Sequence, residues 1–89
     1  MLSQDPKLIL EVINAIDRQG NKFIILRTNP DKYYIFDSLI PEDKWGEFEK
    51  DKEYYLDYII NKKTGNKVVK GFKKIEVIKY GQGEIRIVK

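Results

Sequence analysis

The chain predicts an all-β or mainly β domain: a small antiparallel barrel carrying at most one or two short helices and an additional C-terminal strand. Three observations carry this expectation. Tyr54, Leu56, Tyr58 and Ile60 recur with period two, Lys63-Thr64-Gly65-Asn66 has turn composition, and β-branched residues return at Val68, Val69, Ile75 and Val77. Residues 53–79 therefore read as one long β-hairpin. A lone hairpin is marginal in water, so the remaining segments must bring further strands against its apolar face.

Residues 5–19 support two readings. As a helix they have Asp5 as N-cap, Pro6 in the first turn, a polar stripe at Lys7, Glu11, Asn14 and Arg18, and Gly20 as a stop. As a strand they place Leu8, Leu10 and Val12 on one face and run through Asp17-Arg18-Gln19-Gly20-Asn21, a hairpin loop with glycine late in the turn, into Lys22–Arg27.

Residues 22–28 and 33–37 form the next hairpin across Asn29-Pro30-Asp31-Lys32, where Asn and Pro suit the first two places of a type I turn. That loop sets Leu26 opposite Ile35, Ile25 opposite Phe36 and Arg27 opposite Tyr34. One face then holds Ile24, Leu26 and Ile35 as core. The other holds Phe23, Ile25, Arg27, Tyr34 and Phe36, too aromatic for a plain solvent face.

Residues 38–52 are an acidic connector in which Trp45 and Phe48, three apart, point inward from a short helix. Gly71 interrupts the long strand and marks a bulge or bend. In the last hairpin, a loop Tyr80-Gly81-Gln82 closed by a left-handed Gly83 pairs Val77 with Ile85, Glu76 with Arg86 and Ile75 with Ile87. Leu26, Ile35, Leu56, Tyr58, Ile75, Val77, Ile85 and Ile87 are the expected core.

Eighty-nine residues without repeat or linker make a single domain, 1–89. The absence of Cys excludes disulfides and thiolate metal sites, and the absence of His removes the commonest general base and metal ligand. No apolar run reaches the roughly 20 residues of a membrane span, and MLSQDPK has no signal-peptide pattern, so a cytoplasmic protein is expected. Much Lys, Glu, Ile and Tyr with one Met fits a thermophile and equally AT-rich coding. The net charge of +3 is unevenly spread: residues 37–57 carry −5 and residues 58–89 carry +7. A basic C-terminal third is what a phosphate backbone attracts.

Val12 through Arg27, with Val12, Gly20, Lys22, Phe23, Ile24, Ile25, Leu26 and Arg27 as the matching residues, resembles the first two strands of the OB-fold anticodon-binding domain of aspartyl-, asparaginyl- and lysyl-type tRNA synthetases. Lys73-Lys74-Ile75-Glu76-Val77-Ile78 looks like the close of an OB fold's last strand. The order of strands and connector is also that of an OB fold. Together with the loop chemistry, this order assigns residues 8–16 to a strand. The resemblance implies a base-stacking face on the second and third strands. It implies no synthetase, since no catalytic domain is present, and the strand after Tyr80 has no counterpart in a five-stranded barrel.

The expected function is non-catalytic binding of single-stranded DNA or RNA with little sequence preference, through a cationic track and flat rings. The track candidates are Lys22, Arg27, Lys32, Lys70, Lys73, Lys74 and Arg86; the stacking candidates are Phe23, Tyr34, Phe36 and Tyr55. No cofactor or metal is expected. Glu42-Asp43-Lys44 with Asp37 upstream has a nuclease-like spacing that chance supplies readily in so charged a chain. The alternative is a protein-binding adaptor or inhibitor, with a helix at 6–19, an SH3-like or Sm-like barrel, and the aromatic face docked on a partner or on a second copy.

Overall fold

The computed structural model describes residues 5–88. The chain is mainly β, with strands β1 (Lys7–Leu8), β2 (Glu11–Ile16), β3 (Lys22–Arg27), β4 (Lys32–Phe36), β5 (Glu53–Ile60), β6 (Lys67–Tyr80) and β7 (Gly83–Val88), and one 3₁₀ turn at Glu42–Glu47. The strand reading of residues 8–16 holds, interrupted at Ile9-Leu10, and the helical alternative does not form. No helix of the described residues is long and apolar enough to cross a membrane.

The sheet runs β1-β5-β6-β4-β3-β2, with β7 added to β6. All pairings are antiparallel except β4 with β6. The expected barrel is not closed by a continuous ladder, because β1 and β2 do not pair with each other. They are consecutive pieces of one extended stretch. At their junction Ile9 exchanges backbone bonds with Lys52 and Asp51 beside β5, at 3.0 and 2.7 Å, while the Leu10 amide donates to Arg27 of β3 at 2.8 Å.

The enclosed side is the core: Ile9, Ile24, Leu26, Tyr33, Ile35, Ile40, Phe48, Tyr54, Leu56 and Val69, with Val12, Trp45, Tyr58 and Phe72 packed around them. The connector plugs one end of it, as the Trp45 and Phe48 spacing suggests. Phe48 is buried with its ring 4.3 Å from Phe72 and 5.4 Å from Tyr54. Trp45 donates its indole N–H to the Ile40 carbonyl at 2.9 Å. The Tyr54 hydroxyl accepts from the Glu49 amide and donates to the Glu47 carbonyl, both at 2.7 Å.

Two expected registers change. The turn between β3 and β4 is Thr28–Asp31, closed by Thr28 N–H to Asp31 C=O at 2.8 Å, so Leu26 faces Tyr33, Ile25 faces Tyr34 and Arg27 faces Lys32. This slip of two residues keeps every side chain on its expected face. Between β6 and β7 the turn has two residues, and Gly81 rather than Gly83 is left-handed, with φ of 51°. The pairing therefore slips by one, and Ile85 meets Ile78 while Ile87 meets Glu76. The Gly71 signal holds: Asp57 pairs with Gly71 and Tyr58 with Val69, which leaves Lys70 as a bulge.

Of the expected core, Leu26, Ile35, Leu56 and Ile75 are buried and Tyr58 is partly so, but Val77, Ile85 and Ile87 are exposed. The cause is strand length. β5 accompanies β6 only as far as the Glu53–Ile75 pair, so beyond it β6 has β7 alone and no layer to pack against.

Candidate nucleic-acid interface

The inward residues of β3 and β4 are Ile24, Leu26, Tyr33 and Ile35, all buried, and strand alternation turns Phe23, Ile25, Arg27, Lys32, Tyr34 and Phe36 to the outer face. Because Phe23 pairs with Phe36 and Ile25 with Tyr34, three rings gather within one neighbourhood. Phe23 lies 5.3 Å from Phe36 and 6.3 Å from Tyr34, and Tyr34 lies 6.3 Å from Phe36. Tyr34 is tilted only 15° from Phe36 and 22° from Phe23. Phe23 and Phe36 are tilted 34° from each other, so Tyr34 is the ring stacked with both neighbours, and all three rings are half-buried. Ile13 and Ala15 of β2, opposite Ile25 and Phe23, extend the apolar surface sideways.

Cations stand at one end of this face. Arg27 and Lys32 are cross-strand partners; Arg27 bonds Glu11 at 3.1 Å, whereas Lys32 is exposed and has no ion pair among the described residues. The Asn61–Asn66 loop adjoins the same end, since Lys67, which follows it, pairs with Tyr33 at the start of β4. The Asn61 side chain shapes this loop by accepting the Lys63 amide at 2.9 Å. Lys62 and Lys63 are exposed on it. The sequence reading took Lys63 as a turn residue and passed over Lys62, although two adjacent lysines in a hairpin loop were the available signal. Lys67 ties the two loops together: it binds Asp31 at 3.0 Å and lies 5.7 Å from the Tyr33 and Tyr58 ring centres. The Asp31 bond raises the Lys67 pKa, and burial raises that of Tyr33.

Comparison with protein-family models, curated proteins and solved structures returns no match. The site therefore rests on its own geometry.

The other sequence-predicted residues scatter. Tyr55 and Lys73 are partners on the outer face of β5–β6, two strands from the ring cluster, and Lys73 has no ion pair among the described residues. Lys22 alternates to the inner side of β3, at its end, beside an open groove also lined by Phe23, Trp45 and Glu42. Lys70 is the bulge residue and lies 3.9 Å from Asp57. Arg86 bonds Glu53 at 2.5 Å. Lys74 bonds Glu49, which raises the lysine pKa and lowers that of the carboxylate. The acidic middle thus supplies partners to the basic C-terminal third through Glu49, Glu53 and Asp57, and much of the +7 is answered within the fold. Asp37 accepts the Glu42 amide at 2.9 Å, an assignment to the 3₁₀ turn, and no acidic cluster of the described residues is placed to hold a metal ion.

Proposed function

We propose that this chain is a non-catalytic, cytoplasmic domain that binds single-stranded nucleic acid, with little sequence preference, across the outer face of β3 and β4. The observation that carries the reading is the cluster of Phe23, Tyr34 and Phe36: three half-buried rings, two of the three pairs stacked, on the outer face of β3 and β4. Bases stack on such rings whatever their identity, at about 1–3 kcal/mol per base, so weak sequence preference follows from the chemistry. Lys32, Arg27 and the Lys62-Lys63 loop supply the cationic approach for the backbone.

The strand order supports an OB-like reading. Three strands in a meander (β2-β3-β4), a parallel contact of the third with β6, a short helical turn before β5, and an N-terminal stretch that serves both ends of the sheet are the features of that fold. OB folds bind oligonucleotides on their second and third strands and on the loops at either end, which here are β3, β4, the Asp17–Asn21 loop and the Asn61–Asn66 loop. Asp17 organises the first of these by accepting the Gln19 and Asn21 amides at 2.8 and 2.9 Å, bonds that lower its pKa.

Titrating ¹⁵N-labelled protein with an oligothymidine tests the placement. Amide shifts concentrated in residues 22–36 and 61–66 are expected. Shifts confined to β7 and the connector would refute it.

A further inference from the structure

The distal half of β6 with β7 forms a two-stranded arm. From Glu76 to Tyr80, β6 pairs only with β7, and the far edge of β7 pairs with no strand of the described residues. Val77, Ile78, Tyr80, Ile85, Ile87 and Val88 are between 37% and 59% exposed along it. The molecule is correspondingly long, 51 × 23 × 20 Å. An open edge beside exposed apolar side chains is a template for another strand, and a monomer normally blunts such an edge with charge, proline or a bulge. Here the β7 edge reads Gly83-Glu84-Ile85-Arg86-Ile87-Val88, and neither proline nor bulge interrupts it.

We propose that β7 pairs antiparallel with β7 of a second copy of this chain, about a two-fold axis through Ile85. Charge complementarity selects both the occupant and the register. With Ile85 opposite its own copy, Glu84 lies opposite Arg86 of the other copy, twice by symmetry, where it joins Glu53 beside the same guanidinium, and opposite charges attract across a ladder. Moving the axis to Arg86 would set two guanidinium groups face to face, and moving it by half a step would pair Ile85 with Arg86.

The same register joins the apolar sides. Ile78 and Ile85 of each copy form one row of four across the combined sheet, while Ile87 comes to lie beside Gly83 of the partner. Gly83 is already covered by Tyr80: a Cβ there would stand 3.2 Å from the tyrosine ring. Ile87 therefore meets an aromatic surface and no protruding side chain. Ile78, Ile85 and Ile87 of each copy share the inner side of the arm, whereas Val77 and Val88 alternate to the other, so only part of the exposed apolar surface is covered. The dimer is accordingly weak and concentration-dependent. Glu76, Ile78 and Tyr80 alternate to the inner side of β6, away from the outer face that bears Phe23, Tyr34 and Phe36, so both activities are compatible and each stands without the other.

Light scattering and sedimentation of the full chain, from about 1 µM to about 500 µM, test the idea by mass action. The mass should rise from that of a monomer toward twice 10.6 kDa and no further. Ile85→Lys, at a position 48% exposed where substitution spares the fold, sets like charges on the axis and should abolish the rise. Ile60→Lys, an exposed apolar site outside the arm, should leave it intact. Glu84→Lys should weaken the dimer about tenfold or more, with circular dichroism reporting the fold of each variant. A monomer at every concentration, a mass above the dimer, or a dimer indifferent to Ile85→Lys would each overturn the proposal.

Discussion

Tyr54→Phe removes one oxygen atom and probes how the connector is held to the sheet. The side chain is fully buried, and its ring packs against Phe48 at 5.4 Å and Phe72 at 6.4 Å, contacts that phenylalanine keeps. The hydroxyl alone bonds the Glu49 amide and the Glu47 carbonyl, each at 2.7 Å. Without it, two backbone groups beside a buried ring lose their partner, at a cost of about 1–3 kcal/mol. Urea unfolding is the assay. With a slope of about 1 kcal/mol per molar for so small a domain, the midpoint should fall by about 1–3 M at unchanged slope. Trp45, the chain's one tryptophan, lies in the 3₁₀ turn immediately before this clamp and reports the connector by fluorescence. An unchanged midpoint would refute the view that the Tyr54 hydroxyl fastens residues 47–49.

Leu56→Ala should destabilise by about 2–5 kcal/mol in the same assay, since Leu56 has no exposed surface, and a smaller loss than that of Val77→Ala would show the faces inverted. Alkaline stability should decline as pH rises above about 10: burial holds the folded-state pKa values of Tyr33 and Tyr54 above the ordinary 10.0, so the unfolded chain gives up those protons first. A flat unfolding free energy between about pH 9 and pH 11 would contradict this. Tyr34→Ala should weaken oligonucleotide binding by about 1–3 kcal/mol with an unchanged salt slope. Lys32→Ala with Lys62→Ala should instead flatten that slope by about one unit or more, as fewer counterions are released.

Hairpins were legible in the sequence because their signals are local. Period-two alternation, Thr64-Gly65 and the loop around Gly20 placed strands at 8–16, 22–28 and 33–37 and one long hairpin over 53–79, and Gly71 marked the bulge. Turn geometry was less legible. Asn29-Pro30 reads equally well in two frames, and the frame that forms starts at Thr28, whose hydroxyl also bonds Asp31 at 2.9 Å. Gly81-Gln82-Gly83 offers two glycines for one left-handed place, and choosing between them moves every β7 partner by one.

Burial of Val77, Ile85 and Ile87 was misjudged because alternation states which residues share a face and says nothing of whether another layer covers it. The ring face of β3 and β4 was visible for the same local reason that made the hairpin visible. The cationic track was not, because the ion pairs of Lys74, Arg86 and Lys70 join residues 13 to 33 apart, and composition does not disclose such partners.

The most direct test of the binding account is a titration of labelled single- and double-stranded oligonucleotides at about 50 mM and about 200 mM salt. Lys32, Lys62 and Lys63, each contributing about −0.7, predict a slope near −2 in log affinity against log salt, and stacking on Phe23, Tyr34 and Phe36 predicts tighter binding of the single strand. Absence of binding to either form at the lower salt would contradict the account.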